Sequence, residues 1–188
     1  MMPKITRECR GTMTAGQDLV VAGYAGLAGT VLLIKKKRQE LEQWFLPAYL
    51  DEIIRCYDDE KPADPAACII PGVTEWEASG EGGILKTIWD LSGAYEAGIR
   101  FFQRKIPIRQ ETIEICERLE VNPYRLFSAD CYLLVSQNGG QTVEYLNGRN
   151  TAAGVIGIIT QSHAIEMPGS KTTGYLERPR PDEINKFI

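Results

Sequence analysis

The residues best suited to chemistry lie in one glycine-rich stretch near the middle of the chain, Ala78-Ser79-Gly80-Glu81-Gly82-Gly83. A strand-like segment precedes this stretch, and apolar residues at helical spacing follow it from Ile84 to Tyr95. A turn that leads into a helix leaves backbone N–H groups without partners, and the helix dipole favours an anion there. The pattern therefore predicts a phosphate-binding turn, and the alternative is a tight strand-to-helix turn that binds nothing. The candidate phosphate-binding residues are Ser79, Gly80, Glu81, Gly82 and Gly83.

Two other glycine-containing stretches resemble nucleotide-binding motifs but lack the parts that define them. Gly23-x-x-Gly26-x-x-Gly29 follows a strand, yet it has no Gly-x-Gly pair, and no strand ending in an acidic residue follows about 20 residues later. In Gly169-Ser170-Lys171-Thr172 the lysine does not directly follow the glycine, so this segment is not a P-loop. We expect Gly23, Gly26 and Gly29 to let a helix pack closely on the sheet.

The acidic, histidine and cysteine residues do not form a recognisable catalytic set. Glu75, Glu77 and Glu81 flank the glycine turn and could hold a magnesium ion, but we favour solvent-facing carboxylates near a helix N-terminus. The single histidine, His163, has no nucleophile placed to use it, so no catalytic residue and no metal site is predicted. An odd number of widely spaced cysteines favours reduced thiols in a cytoplasmic protein. These are Cys9, Cys56, Cys68, Cys116 and Cys131.

The composition is that of an ordinary globular protein, and it gives no support for binding to nucleic acid or for a membrane anchor. The 188 residues carry a net charge of −4 at a pI near 5.2, which gives no electrostatic reason to expect nucleic acid. The stretch 19–34 is uncharged and precedes Lys35-Lys36-Lys37-Arg38, a pattern that can mark a membrane anchor. It is shorter than the roughly 20 residues that a spanning helix needs, and glycines interrupt it, so we expect a strand, a loop and a helix instead.

Strand-like and helix-like segments alternate along the chain and predict an α+β fold, with helices packed on a mixed β-sheet. The predicted strands are 18–22, 68–76, 99–102, 131–135, 153–160 and 164–167. The predicted helices are 30–45, a second amphipathic helix around 49–57, 84–95 with Gly98 as its cap, 110–119 and a short one from 139 to about 148. We expect a flexible N-terminal segment at 1–15 and one domain at 16–188, with a helical insertion around 46–67.

The order of these segments resembles the C-terminal domain of the aminoimidazole ribonucleotide (AIR) synthase superfamily. The matching segments begin with Gly16-Gln17-Asp18 and the glycine-spaced loop, and continue with the glycine turn and its helix. They then follow in the same order at 97–99, 106–108, 122–126, 127–135 and 152–157. The nearest type is the carbamoyl dehydratase of hydrogenase maturation, which makes cyanide for a metal centre. The resemblance implies an α/β sandwich and a surface on which family members dimerise.

Departures from the family pattern argue against independent catalysis. The family places magnesium-ATP mostly on an N-terminal domain, and this chain begins where that domain should have ended. At the glycine turn the family's Asp and Thr align with Ala78 and Gly80, and Asp130 stands where a glycine is usual. The last residues, 185–188, lack the cysteine on which the maturation enzyme acts.

The resemblance therefore implies a stand-alone, catalytically incomplete domain that binds a phosphate or nucleotide ligand or serves in assembly, with a link to metalloenzyme maturation. Its partner would be a second copy, in a homodimer, or a separate N-terminal-type subunit. The alternative is one subunit of a split ATP-dependent enzyme that processes carboxamides or amidines, with ATP and magnesium held by the other chain. A third reading is a structural partner in metalloenzyme maturation that binds no ligand.

Overall fold

Seven strands form one mixed sheet in the computed structural model, which describes residues 11–59, 62 and 64–187. In chain order the strands are β1 (Asp18–Ala22), β2 (Val73–Ala78), β3 (Gly98–Phe101), β4 (Tyr132–Ser136), β5 (Ala153–Thr160), β6 (Ile165–Pro168) and β7 (Thr173–Tyr175). Their order across the sheet is β2-β4-β1-β5-β3-β6-β7. Neighbouring strands are antiparallel, except that β3 and β6 run parallel. The α+β fold with a mixed sheet is confirmed.

Helices cover the sheet on both faces and form a further cluster beside it. They are α1 (Leu27–Lys36), α2 (Arg38–Leu41), α3 (Pro47–Asp59), α4 (Gly83–Tyr95), α5 (Gln110–Arg118) and α6 (Gly139–Asn147). Helix α4 packs in the core on one face of the sheet, and α6 packs in a smaller core on the other. Helices α1, α3 and α5 share a third apolar cluster that includes Leu50, Ile115 and Leu126.

Strand β1 lies at the centre of the sheet and shows why its sequence reads as an unbroken apolar run. Leu19 and Val21 belong to the core under α4, whereas Val20 and Ala22 belong to the core under α6. Because successive strand residues point to opposite faces, a strand that is covered on both sides needs apolar residues at every position. This burial positions the loop after β1, which leads into α1.

Three predicted boundaries are wrong, and each has a local cause. Helix 30–45 ends at Lys36, because Lys37 leaves the helical region (φ −112°, ψ 23°) before α2 begins. The strand at 68–76 begins only at Val73, since Gly72 (φ +79°) closes a turn in which the Val73 N–H bonds the Ile70 carbonyl. Helix α4 is capped by Glu96 (φ +50°), and Gly98 instead belongs to β3.

The N-terminal residues that the structure describes lie against the sheet. The Thr12 N–H donates to the Thr74 carbonyl at 3.0 Å, and the Gly16 N–H donates to the Ile159 carbonyl at 2.9 Å. Met13 is buried in the core under α4. Of the predicted flexible segment 1–15, only residues 11–15 are described, and residues 1–10, which include Cys9, lie outside the described residues.

The uncharged stretch 19–34 folds as most of β1, the loop after it and most of α1. Among the helices that the structure describes, none has both the length and the apolar character required to cross a lipid bilayer.

Candidate functional site

The glycine turn at the start of α4 depends on two glycines in the left-handed backbone region. Gly82 (φ +83°) caps the helix and Gly83 (φ +67°) begins it. A Cβ atom on Gly83 would lie 2.6 Å from the Tyr124 carbonyl oxygen and 2.7 Å from that of Leu126. Because glycine alone adopts such angles freely and leaves room for this approach, both residues are required by the turn itself. The backbone angles and the close packing explain both glycines without any ligand.

A carboxylate from the C-terminal segment already occupies the start of α4. Asp182 Oδ2 accepts a hydrogen bond of 2.6 Å from the Gly82 N–H. Its Oδ1 accepts from the N–H groups of Phe127 (3.1 Å) and Ile184 (2.8 Å). The residue is 3% exposed. An anion at this position is favourable for the same reason that a bound phosphate would be, since the helix N-terminus attracts negative charge.

Other groups of the turn are also bonded within the chain. The Gly83 N–H donates to the Gly80 carbonyl at 3.1 Å, and the Ser79 N–H donates to the Cys131 carbonyl at 2.7 Å. The Gly80 carbonyl accepts a second bond of 3.1 Å from the Ser128 N–H. The expectation of outward-facing N–H groups without partners is therefore wrong for Ser79, Gly82 and Gly83. These contacts fasten the turn to the segment that precedes β4.

The five candidate residues of the turn do not converge on one point. The Ser79 side chain is buried, with its Oγ 2.9 Å from the hydroxyl of Thr87 on α4. Glu81, in contrast, is exposed to solvent. A Cβ atom on Gly80 would meet open space. Ser79 therefore contributes to the core, and of the five residues only Gly82 lines a recess in the surface.

A small cationic recess lies beside Gly82. Lys86, Arg125 and Arg180 line it together with Leu85, Leu176, Glu177 and Pro179. Its interior, about 10 Å³, has room for roughly one water molecule. Lys86 also forms an ion pair of 2.6 Å with Asp90 on the same helix. The recess carries the charge that a phosphate would need, but its volume is too small for one.

The acidic residues near the turn do not form a metal site. Glu75 is buried, and its carboxylate accepts hydrogen bonds from the Gly11 N–H at 3.1 Å and from the Tyr95 hydroxyl. Glu77 is half-buried and Glu81 is exposed, so the three predicted candidates do not point together. Within residues 11–59, 62 and 64–187, no group of three or more His, Cys, Asp or Glu side chains could hold a metal ion.

The remaining sequence candidates have structural explanations. The exposed His163 ring forms a 2.8 Å hydrogen bond through Nδ1 with the Glu96 carbonyl. Burial raises the pKa of both the Cys116 and Cys131 thiols to about 12, which keeps them protonated near neutral pH. Asp130 adopts φ +59° and accepts a 2.7 Å bond from the Tyr57 hydroxyl. Aspartate tolerates this left-handed conformation better than most residues, which fits a position where glycine is usual.

Solved structures share this fold across nearly the whole chain. The hydrogenase maturation protein HypE of E. coli matches 95% of this chain and 54% of its own, with a TM-score of 0.69 and 20% sequence identity. A structure of the HypE–HypF complex matches with a TM-score of 0.64 at 16% identity, over 90% of this chain and 55% of the other. Thiamine-monophosphate kinase from Stenotrophomonas maltophilia K279a matches with a TM-score of 0.63 at 16% identity, over 87% and 54%.

These matches establish the fold and its extent. The chain has the same α+β fold as these HypE and thiamine-monophosphate kinase structures, which agrees with the fold that the resemblance implied. It spans about half the length of the structures it matches, which contain the fold as one part of a larger protein. No protein-family model and no curated protein sequence matches the chain.

Proposed function

We propose that this chain is an assembly module of the AIR synthase-like type, without catalytic activity of its own. It docks onto a second protein unit that supplies the other half of the architecture, on the same polypeptide or on another chain. In this proposal the module serves metalloenzyme maturation, as the name of its HypE neighbours indicates for them. Any ATP and magnesium are bound by the second unit, and the expected reduced thiols favour a cytoplasmic location.

The observation that carries this proposal is the contact between Asp182 and Gly82. A phosphate-binding turn must offer its N–H groups to a ligand, whereas here the Gly82 N–H bonds a buried carboxylate of the same chain. The recess beside it holds about one water molecule. The module is therefore closed to a phosphate while the C-terminal segment stays in place. A role in assembly needs no open site.

The partner inference rests on the extent of the structural match. Each neighbour contains this fold in about half of its chain, so the fold is found joined to another unit. One neighbour is HypE in a complex with HypF, so a protein that contains this architecture binds a separate subunit. If a partner instead completes an enzyme, ATP hydrolysis should appear only when the two purified units are mixed.

Thermal unfolding of the purified chain tests the closed turn directly. The melting temperature is measured alone and with inorganic phosphate, Mg-ATP or phosphoribosyl pyrophosphate at millimolar concentration. A ligand at 100 times its Kd stabilises a protein by about 2.7 kcal/mol, which shifts the melting temperature by several degrees. We expect no shift. If a ligand raises the melting temperature of the unaltered protein but not that of Gly82→Ala, the proposal is overturned and the turn is a ligand-binding site.

A second function, phosphate binding at the turn after displacement of Asp182, is favoured by one observation. Lys86, Arg125 and Arg180 surround the recess next to Gly82, so an anion that replaced the Asp182 carboxylate would meet three cations. In this case Ser79, Gly80, Glu81, Gly82 and Gly83 would form the ligand-binding turn. Phosphate should then stabilise Asp182→Asn but not the unaltered protein. Equal melting temperatures of Asp182→Asn with and without phosphate would exclude this second function.

A further inference from the structure

A polar recess lies between the loop after β1 and the turn that joins α6 to β5. Five residues line it: Tyr24, Asn147, Asn150, Thr151 and Ala152. We call it the asparagine recess, and it shares no lining residue with the cationic recess beside the glycine turn. Its interior volume is about 240 Å³, somewhat below the roughly 300–1,000 Å³ of pockets for drug-sized ligands. The recess therefore suits a small molecule, of about the size of one sugar ring.

Hydrogen bonds at the end of α6 fix one wall of the asparagine recess. The Asn150 N–H donates to the Asn147 carbonyl at 3.1 Å, and the Thr151 N–H donates to the Leu146 carbonyl at 3.0 Å. With Asn150 at φ +57°, these bonds match a Schellman motif that has Asn150 in its left-handed position. Glycine is the usual residue there, because a side chain adds strain. This chain instead places a carboxamide at that position, and its exposed side chain lines the recess.

Tyr24 forms the other wall, and contacts from the start of α5 hold it. The Gly23 N–H donates to the Ala152 carbonyl at 2.8 Å, which fastens the loop after β1 to the start of β5. The Arg109 guanidinium lies over the Tyr24 ring, 5.8 Å from its centroid. Glu111 holds Arg109 in turn through an ion pair of 2.7 Å. Both walls are therefore positioned by the fold before any ligand binds, which lowers the cost of binding.

The fold does not use the polar side chains of the asparagine recess. Thr151 is only 3% exposed, yet its hydroxyl takes part in no hydrogen bond among the residues that the structure describes. The same is true of the carboxamides of Asn147 and Asn150 within the described part of the chain. A buried hydroxyl without a partner costs free energy. A molecule bound in the recess would supply that partner.

The chemistry of the lining residues indicates the class of ligand. All five are uncharged, so a charged ligand would lose part of its hydration there without gaining an ion pair. Each asparagine carboxamide offers an acceptor oxygen and two donor hydrogens, and the Thr151 hydroxyl can donate or accept. Sugar hydroxyls also both donate and accept, so neighbouring hydroxyls of one sugar ring can bond to the two sides of a carboxamide.

We propose that the asparagine recess binds a neutral sugar of one ring, held by hydrogen bonds from Asn147, Asn150 and Thr151. Neutral hydrogen bonds that replace bonds to water contribute little each, so the binding is weak, in the millimolar range. The proposal depends neither on the assembly role nor on phosphate binding at the glycine turn.

An NMR titration of the isotopically labelled protein tests the recess directly. Amide spectra are recorded with D-glucose, D-galactose or D-mannose at millimolar concentration, and with sodium phosphate as a charged probe. At least one sugar should shift the side-chain NH₂ signals of Asn147 and Asn150 and the backbone amide signal of Thr151. Phosphate should leave these signals in place.

Two substitutions remove ligand groups without disturbing the fold. Glycine suits the left-handed position in Asn150→Gly, and Thr151→Val keeps the shape of the side chain while it removes the hydroxyl. Both variants should therefore melt at least as high as the unaltered protein, yet each should bind the sugar about fivefold more weakly, as expected for one lost neutral hydrogen bond. Asn185→Ala is the control, because it removes an exposed carboxamide outside the recess and should leave the affinity unchanged.

Three results would overturn the proposal. If no sugar shifts the signals of Asn147, Asn150 and Thr151, the recess holds water only. If phosphate shifts these signals as the sugars do, the ligand class is wrong. If Asn150→Gly and Thr151→Val are folded and bind the sugar as tightly as the unaltered protein, the side chains of the recess do not hold the ligand.

Discussion

The Gly82 N–H and the Asp182 carboxylate meet at 2.6 Å, although 100 residues separate them in the chain. The same carboxylate also binds the amide groups of Phe127 and Ile184. Asp182 therefore joins the start of α4, the segment before β4 and a C-terminal 3₁₀ turn (Glu183–Lys186) at one buried point. A carboxylate is favourable at a helix N-terminus, so this contact contributes to the stability of the region.

Replacing Asp182 by asparagine should destabilise the protein without removing side-chain volume. An asparagine Oδ1 can still accept from Phe127 and Ile184, but its NH₂ group would face the Gly82 N–H and leave that donor without an acceptor. We expect the free energy of unfolding to fall by about 1–3 kcal/mol, measured by urea denaturation. Asp90→Asn, which affects an ion pair with the partly exposed Lys86, is the control and should change stability little.

Two glycines of the turn, Gly83 and Gly80, should differ sharply in their tolerance of alanine. Gly83→Ala combines a left-handed backbone with a Cβ atom 2.6 Å from the Tyr124 carbonyl oxygen. We expect a loss of about 2–4 kcal/mol in unfolding free energy, from backbone strain and overpacking together. Gly80→Ala places its Cβ in open space and should stay within about 0.5 kcal/mol of the unaltered protein. Equal losses at both positions would show that the turn does not depend on this close packing.

The parts of the fold that the sequence predicts correctly are those that depend on the pattern of apolar residues within one short segment. The run from Asp18 to Ala22 predicts a short buried strand, and the spacing from Ile84 to Tyr95 predicts α4. The end of α1 escapes sequence reasoning because Lys35-Lys36-Lys37-Arg38 suits a helix by propensity, and only the backbone of Lys37 shows the interruption.

The site is predictable only in part, for a related reason. A glycine turn before a helix can be recognised from sequence, but the group that fills it comes from the other end of the chain. In the sequence, Asp182 is recognisable as a typical capping residue before a short helical turn. That pattern indicates the 3₁₀ turn and not a contact with Gly82. Glu75 likewise looks like a surface carboxylate in sequence, and only the packing of β2 against Tyr95 shows that it is buried.

The cysteines should fall into two classes of reactivity in the folded protein. Burial raises the pKa of Cys116 and Cys131 to about 12, so at pH 8 their thiolate fraction is about a thousandfold below that of an ordinary thiol near pKa 8.5. A thiol reagent such as DTNB should label Cys56 and Cys68 in the native state, and the two buried residues only after unfolding. Cys9 lies outside the described residues and is replaced by serine for this measurement.

The same raised pKa values give stability a pH dependence of known sign. The unfolded state releases the Cys116 and Cys131 protons above about pH 8.5, whereas the folded state keeps them until about pH 12. Their contribution to stability is therefore complete below about pH 8.5 and declines as the pH rises from about 8.5 to about 12. Replacing both residues by alanine should flatten this decline, and rapid native labelling of either one would contradict the assigned burial.

Helix α3 should prove to be an integral part of the domain and not an appendage. Leu50 is fully buried in the cluster that α3 shares with α1 and α5, while Leu46 just before the helix is 76% exposed. Leu50→Ala should lower the free energy of unfolding by about 2–5 kcal/mol, and Leu46→Ala should have little effect. Leu126 belongs to the same cluster as Leu50, and its carbonyl oxygen lies against Gly83 of the glycine turn. If α3 is integral, Leu50→Ala therefore lowers the midpoint of a single cooperative unfolding transition. A separate early transition, with the main one unmoved, would instead show that this helix folds independently of the sheet.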